Sequence, residues 1–232
     1  LPKIHLETPN STLCLALDYP LSLTDSIDPG KMRLMVDAQL GRQDLMPLLT
    51  SLPEGLRSQW PYYPLTVKGQ VKGNLDYMEF SALDLSLPTA FHVNADGFAA
   101  NISDLKRLRA DVQFKAQTQN LNMVTALLPR DVQRQFRIPA GISAEGRVKA
   151  DGSQYFADVT AHEGGGTLKV NGNFNASRMA YDAQVSVNHL NLHHFMPHDS
   201  LYTVTADITA KGSGFDLFSP STVLNADATI SQ

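Results

Sequence analysis

Four histidines are concentrated in the segment HLNLHHFMPH, at His189, His193, His194 and His198. A helix would place His189 and His193 on one face, because they are four residues apart, and zinc ligands are often paired in this way. A zinc protease motif would also require a glutamate between them, and none is present. We therefore predict a solvated or interfacial histidine cluster, with no bound metal and no other cofactor.

Two further patterns resemble catalytic or phosphate-binding motifs. The glycine run HEGGGT, residues 162–167, offers consecutive backbone N–H groups, but it lacks the GK[ST] ending of a phosphate loop, so we predict a hairpin turn. A glycosidase would need two carboxylates that converge on one bond. The acidic residues are instead scattered over polar strand positions and turns, and we predict no enzymatic activity; they include Asp76, Asp84, Asp96, Asp151 and Asp158.

The segment QWPYYPL, residues 59–65, contains the only tryptophan of the chain together with two tyrosines and two prolines. Trp60, Tyr62 and Tyr63 have the amphipathic character of side chains at membrane interfaces and docking surfaces. The other interpretation is a packed connector that leads out of a helix. We favour the connector and keep the docking patch as the alternative.

Composition excludes several classes of protein. The chain has 232 residues and a formal net charge of -4 with both signs interspersed, so it lacks the basic stripe that nucleic acid binding requires. The single cysteine, Cys14, excludes an internal disulfide and cysteine-rich metal sites. No apolar run is long enough to cross a bilayer. We expect the chain to be an internal segment of a larger repeat protein.

The elements that position these residues are β-strands. Alternation of apolar and polar residues with period two predicts a long series of strands joined by short turns rich in Gly, Asn, Asp and Ser. Neighbours joined by such short turns pair antiparallel, which predicts a meander. The twelve candidates are TLCLALD, MRLMVDAQL, LTVKGQVKGN, SALDLSL, FHVNADGFA, RLRADVQFKA, GISAEGRVKA, YFADVTAH, GTLKVNGNFNA, AYDAQVSVNHL, YTVTADITAKG and VLNADATIS. Apart from the candidate TLCLALD, the fold of residues 1–30 receives no assignment.

Three Leu-rich inserts interrupt the meander: DLMPLLTSLPEGLRSQW, NLNMVTALLPRDVQRQF and LNLHHFMPHDSL. Helix-like spacing of apolar residues predicts one short helix in each, and we expect these helices to pack against the apolar face of the sheet. The spaced residues are Leu45, Leu48, Leu49 and Leu52 in the first insert and Leu121, Val124, Leu127 and Leu128 in the second. The predicted repeat units are residues 1–58, 59–136, 137–198 and 199–232.

One face of the strands collects small and aliphatic residues, and the opposite face is polar. A one-sided apolar sheet must cover that face, by a filled sandwich, by a closed barrel, or by an exogenous ligand. Because Gly and Ala alternate with the larger residues, a curved sheet would leave a trough that its own side chains do not fill. The predicted lining residues are Val67, Val71, Phe91, Val93, Leu108, Val112, Phe114, Ile142, Val148, Leu168, Val170, Phe174, Val185, Val187, Val204 and Ile208.

Such a trough suits acyl chains. Each methylene moved out of water gains about 0.8 kcal/mol, so a fatty-acyl chain gains on the order of 10 kcal/mol before ordering costs. About ten strands at a spacing of about 4.8 Å would make the trough about 50 Å long. The pattern alone leaves the filled sandwich or barrel open beside the lipid trough.

The order of these features resembles the AsmA-like superfamily and, within it, the TamB (translocation and assembly module) family of Gram-negative bacteria. The resemblance lies in Leu-rich inserts that reach a proline (DLMPLLTSLP, NLNMVTALLP, LNLHHFMP) and the strands LTVKGQVKGN and ISAEGRVKAD, over residues 31–232. The histidine-rich third insert departs from the pattern.

The resemblance implies an elongated, curved antiparallel sheet, the β-taco or half-pipe, with short helices at repeat boundaries. It implies a periplasmic location in a protein anchored to the inner membrane outside this segment. The implied ligands are phospholipids or fatty-acyl chains in transport between the two membranes. The alternative is an interaction module that assists outer-membrane protein assembly by strand pairing, with an Omp85-type partner.

Overall fold

The computed structural model describes residues 3–18, 33–47, 54–73, 76–102, 104, 106–126, 130–198, 202–214 and 222–231. These residues form one open antiparallel sheet of thirteen strands whose spatial order is the order of the sequence. The strands are β1 Lys3–Glu7, β2 Thr12–Asp18, β3 Arg33–Leu40, β4 Leu65–Gly73, β5 Tyr77–Leu87, β6 Phe91–Ala100, β7 Arg109–Thr118, β8 Ser143–Asp151, β9 Gln154–Glu163, β10 Gly166–Asn175, β11 Ala180–Asn191, β12 Thr203–Ser213 and β13 Val223–Ser231.

The predicted fold class is confirmed: the chain is all-β, with an elongated curved antiparallel sheet and short helices. Each of the twelve predicted strands is present, as β2 to β13. No element is predicted before TLCLALD, and β1 lies there, paired with β2. The described residues form a single sheet in which β1 and β13 are edges, so the structure is neither a sandwich nor a closed barrel.

The connections separate onto two long edges of the sheet. Every neighbouring pair is antiparallel and consecutive, so all odd-numbered strands run in one direction. Connections that follow odd-numbered strands therefore lie at the same ends of the strands, along one long side of the sheet that we call the insert edge. Connections that follow even-numbered strands share the other, the turn edge. The three inserts follow β3, β7 and β11 and so all lie on the insert edge, one after every fourth strand.

The inserts contain more and shorter helices than predicted. The first holds α1 Arg42–Leu45 and α2 Glu54–Ser58, the second α3 Asn122–Thr125 and α4 Arg130–Gln135, and the third a 3₁₀ helix Leu192–His194. α1 ends before Pro47, which has no backbone N–H to donate to a helical carbonyl oxygen. Leu48, Leu49, Leu52, Leu127 and Leu128 lie outside the described residues. None of the described helices is long and apolar enough to span a membrane.

Within the described residues, a compact hydrophobic cluster joins the second insert to the sheet. Leu87, Ala90 and Met123 are buried together, and four half-buried side chains pack around them: Trp60, Leu65, Phe91 and Leu121. Leu87 is at the end of β5, Leu65 begins β4 and Phe91 begins β6. For Met123 and Leu121, the expectation that an insert packs against the apolar face is confirmed.

Two β-bulges keep apolar residues on one face where the sequence alternation changes phase. In β5 the register shifts between Phe80 and Leu83, with Ala82 at φ 49°. In a regular strand, Phe80 and Leu83 would point to opposite sides of the sheet because they are three residues apart; the bulge places both on the apolar side. The side chain of Asp96 holds the bulge by accepting a hydrogen bond from the Ala82 N–H at 2.7 Å. A second bulge in β11, between Val187 and Leu190, does the same for Leu190.

Candidate functional site

The candidate site is the apolar face, which the strand register makes continuous from β1 to β13. Directly paired residues of antiparallel strands share a face. One row of such pairs crosses the whole sheet, and every member is Ala, Val, Leu or Ile: Leu6, Leu13, Ala38, Val67, Leu85, Val93, Ala116, Ala144, Ala161, Leu168, Val187, Ala206 and Ile230. The apolar row therefore crosses the full width of the sheet, which is about 58 Å for the twelve spacings of about 4.8 Å between thirteen strands.

Two further rows, both on the turn-edge side of the first row, are apolar as well. Toward the turn edge, a row from β2 to β13 contains only aliphatic residues, Phe80 and glycines: Leu17, Leu34, Val71, Phe80, Gly97, Val112, Val148, Ala157, Gly172, Ala183, Ala210 and Ala226. The middle row lies between the first row and the row that contains Phe80, and its members are Leu83, Ala95, Phe114, Gly146, Val159, Val170, Val185, Ile208 and Ala228.

The sixteen predicted lining residues have mixed positions but one orientation. Twelve fall in paired rows of the apolar face, and Phe91, Leu108, Ile142 and Val204 lie at or beside strand ends. None is buried: Val148 is exposed, and the others are half-buried. The prediction omitted the equivalent residues of β2, β3, β5, β9 and β13, although the same alternation marks them. Leu83, Leu85 and Val159 are examples.

Large and small residues alternate from β5 to β9 in the middle row of this face. Phe114 in β7 lies opposite Gly146 in β8, which in turn lies opposite Val159 in β9. A Cβ on Gly146 would be 2.2 Å from the backbone oxygen of Asp158, so the neighbouring strand leaves no room for a side chain. The alternation makes the surface uneven along this row and leaves space above the small residues.

The insert edge is closed by contacts that run from one insert to the next; we call this row of segments the insert wall. At its start, Asp44 of α1 accepts hydrogen bonds from the β1–β2 turn, at 2.6 Å from Ser11 Oγ and 2.5 Å from Thr8 Oγ1. These hydrogen bonds lower the pKa of Asp44. Arg42 Nη2 donates to the carbonyl oxygen of Arg57 at 3.2 Å and so joins α1 to the end of α2.

The wall continues through the second insert to the third. The first insert meets the second closely, since a Cβ on Gly55 would lie 2.6 Å from the Ala126 oxygen. Farther along, Arg137 binds the third insert twice: its backbone N–H donates to the Phe195 oxygen and its Nε donates to the His194 oxygen, both at 2.8 Å. The rings of Phe136 and Phe195 stack beside these bonds, with centroids 6.2 Å apart.

A buried carboxylate lies where the third insert meets the apolar face. Glu163 ends β9, two residues after Ala161, and so points to the same side of the sheet as the apolar rows. Its side chain is 10% exposed, and Oε1 lies 2.6 Å from Nδ1 of His194. Neither the histidine spacing nor the HEGGGT pattern predicts this pair, because the two residues are 31 positions apart.

The turn edge is built differently. In the part of the chain that the structure describes, its connections contain no helix. The β8–β9 connection is a two-residue turn with Gly152 at φ 57°, and the β10–β11 connection spans four residues. Tyr155 and Phe174 lie in the outermost row of the apolar face at this edge, with ring centroids 6.3 Å apart. In the residues that the structure describes, the apolar face is therefore walled by inserts along one edge and bordered by helix-free connections along the other.

The opposite face carries cross-strand hydrogen bonds and ion pairs. Arg147 donates from Nε and Nη2 to the two carboxylate oxygens of Asp111, at 2.5 and 2.6 Å. This arrangement lowers the pKa of Asp111 and raises that of Arg147. Asp84 accepts from Asn94 at 2.8 Å and contacts His92 Nε2 at 2.7 Å, and the His92 contact lowers the pKa of Asp84.

The residues that suggested metal or catalytic chemistry have separate surroundings. His193 stacks on Tyr202 with ring centroids 5.2 Å apart, whereas His194 contacts Glu163 and His189 contacts the adjacent Asn188 side chain. Among the described residues, no three His, Cys, Asp or Glu side chains are grouped closely enough to hold a metal ion. The segment HEGGGT contains the hairpin turn between β9 and β10.

The segment QWPYYPL divides into a packed part and an exposed part. Trp60 belongs to the hydrophobic cluster around Leu87 and Met123, as the connector interpretation predicts. Tyr62 is 85% exposed, and the guanidinium of Arg42 lies 4.7 Å from its ring centroid. The docking patch stays a prediction for Tyr62 and Tyr63.

The chain matches no known protein-family model, no curated protein and no solved structure.

Proposed function

We propose that the chain is a periplasmic segment of a TamB- or AsmA-like protein and that its apolar face carries the acyl chains of phospholipids between the inner and outer membranes. The observation that supports this function is the unbroken apolar row across thirteen strands of an open sheet. The resemblance of the inserts and strands to the TamB family supports the proposed periplasmic location and the proposed phospholipid ligand.

The physical argument is the cost of leaving such a face in water. Contiguous apolar patches of more than a few hundred square ångströms are rare on soluble proteins and mark interaction sites. The residues of this face are half-buried or exposed along most of its length. Acyl chains fit it without specific hydrogen bonds, because burial of methylenes supplies the free energy. A lining of Ala, Gly, Val and Leu also makes no directional contact that would hold an acyl chain at one position, so the chain can slide along the face, as transport requires.

The test is native mass spectrometry with lipid extraction on the 232-residue chain, purified without detergent from a Gram-negative bacterium. Phospholipid or fatty acid is expected to co-purify. Val112→Glu together with Val170→Glu places two charges in the apolar rows and is expected to abolish that co-purification, because an unpaired charge is costly against a hydrocarbon chain. A stable monomer that carries no lipid would overturn the proposal.

The control variants place the same charges on the other face of the sheet, in β7 and in β11, the strand that pairs with β10. Gln113 follows Val112 in β7 and pairs with Arg147, and Ser186 pairs with Lys169. Gln113→Glu with Ser186→Glu therefore adds two carboxylates to the polar face, beside basic residues. We expect this variant to keep its lipid. Equal loss from both double variants would assign the effect to stability rather than to the trough.

A second function is favoured by the edges of the sheet. All residues of β13 are exposed, and within the described residues it pairs only with β12. An edge strand of this kind pairs readily with a strand from another protein, including a nascent outer-membrane strand. If this function holds, Thr229→Pro in β13 should abolish capture of a β-strand peptide, while the Val112→Glu and Val170→Glu changes should leave it intact.

A further inference from the structure

We propose that the amphiphile lies along the strands, with the free end of its acyl chain against the insert wall and an anionic headgroup at the turn edge beside Lys106 and Arg107. This inference rests on the proposed function and specifies the orientation and the charge of the ligand. It comes from a difference between the two edges: a buried apolar cluster at the second insert, and exposed basic residues in the β6–β7 connection.

The dimensions along the strands suit one chain. β7 has ten residues, which at about 3.4 Å per residue spans about 34 Å from the turn edge to the insert edge. Half of a bilayer core of about 30 Å is about 15 Å, the depth that one acyl chain occupies. A chain can therefore lie within the apolar rows while its headgroup projects beyond the strand ends. Several chains can lie side by side along the sheet.

Around the second insert, the insert edge offers a headgroup mainly apolar contacts. Met123, Leu87 and Ala90 are buried together there, and Trp60 packs on them, so the end of the apolar face at this cluster is hydrocarbon-like. Farther along the same edge, the buried carboxylate of Glu163 points to the apolar side. A headgroup placed at that end would lose its hydration against buried side chains.

The turn edge carries two exposed basic residues in the β6–β7 connection. The sequence DLKRLR, residues 104–109, places Lys106 and Arg107 in the β6–β7 connection, and both side chains are exposed. Asp104 uses its carboxylate to accept from the backbone N–H of Lys106 at 3.1 Å, and Arg109 lies 3.8 Å from Asp151. In the described part of the chain, Lys106 and Arg107 have no ion pair of their own. They are available to a carboxylate or phosphate headgroup.

The orientation can be measured with the single tryptophan as reporter. Trp60 lies in the insert wall, beside Leu65, Leu87 and Phe91. We would titrate the chain with stearate that carries a nitroxide near its methyl end, and then with stearate labelled near its carboxylate. The methyl-end label is expected to quench Trp60 more strongly, because nitroxide quenching falls off with distance.

A matched reporter at the other edge should give the opposite order. Tyr155 is in the outermost row of the apolar face, and the adjacent Gly152 lies close to Lys106, since a Cβ there would be 3.1 Å from the Lys106 oxygen. In the variant Trp60→Phe/Tyr155→Trp, the carboxylate-end label should quench more strongly. The same order at both reporters, or the reverse of both, would overturn the orientation. Binding without quenching at either position would place the ligand elsewhere and overturn the proposed function itself.

The charge requirement has its own test. Lys106→Glu with Arg107→Glu should raise the Kd for labelled stearate about thirtyfold, because each of the two basic residues near an anionic headgroup contributes about 1 kcal/mol. Arg134→Glu, an exposed residue on the insert edge, should leave the Kd unchanged. An equal effect of both changes would contradict a headgroup at the turn edge. Repeating the titration with labelled phosphatidylglycerol distinguishes a phosphate headgroup from the carboxylate of a free fatty acid.

Discussion

Nδ1 of His194 lies 2.6 Å from Oε1 of Glu163, and this contact joins the third insert to the end of β9. Glu163 is 8% exposed, whereas the His194 side chain is 46% exposed. Arg137 binds the carbonyl oxygen of the same histidine, so His194 connects the third insert both to the end of β9 and to the segment that follows α4. The wall at this position thus combines polar contacts with the stacked rings of Phe136 and Phe195.

Removing the histidine should destabilise the fold. His194→Ala would leave the Glu163 carboxylate buried without its partner, which costs about 1–3 kcal/mol of unfolding free energy. Urea unfolding at neutral pH, followed by circular dichroism, measures the change. His198→Ala is the control, because His198 is an exposed neighbour in the same insert, and it should change stability by less than about 0.5 kcal/mol.

The second insert offers a matched pair of neighbouring residues. Met123 is 4% exposed and packs on Leu87, while Val124 is 37% exposed. Met123→Ala should cost about 2–5 kcal/mol because it opens a cavity in the hydrophobic cluster, and it should shift the emission of Trp60, which packs there. Val124→Ala should cost less than about 1 kcal/mol. Equal effects would mean that the insert does not rest on the sheet.

Gly146 tests how closely the strands approach beneath the apolar face. Gly146→Ala would place a Cβ 2.2 Å from the Asp158 oxygen and 2.8 Å from the Val159 Cα, so β8 and β9 must move apart. We expect a loss of about 1–3 kcal/mol, the usual cost of overpacking. Gly165→Ala, in the hairpin turn where no atom lies within 4 Å of the added Cβ, should be close to neutral in the same urea titration.

The strands and the orientation of the lining residues could be predicted because both depend only on the period-two alternation of side chains. The sixteen predicted lining residues contain no member of the polar face. Val112 and Val170, for example, were predicted from separate strands, and both lie in apolar rows.

The pairing register and the insert wall could not be predicted. Register depends on turn lengths and on the two bulges, and the Ala82 bulge has no marker beyond a change of phase between Phe80 and Leu83. Contacts within the wall join distant residues, such as Arg137 and His194, which are 57 positions apart. β1 was missed because five residues, KIHLE, are too short for alternation to distinguish a strand from a connection.

The last prediction concerns acid stability. The pKa of Asp111 lies below its ordinary value of 3.8 in the folded protein, because Arg147 donates two hydrogen bonds to the carboxylate. A lowered folded-state pKa contributes stability that is fully present above the unfolded-state pKa and is lost as the pH falls through the folded-state value. The pair is partly exposed, so the contribution at neutral pH is less than about 1 kcal/mol.

Asp111→Asn should therefore lower the unfolding free energy at pH 7, and the difference from the unmodified chain should shrink as the pH falls below 3.8. High salt should reduce the difference at pH 7 as well, because the pair is partly accessible to ions. Asp207→Asn is the control, since Asp207 is an exposed carboxylate on the polar face of β12. A difference for Asp111→Asn that stays constant down to the lowest pH would mean that the side chain acts through its shape and not through its charge.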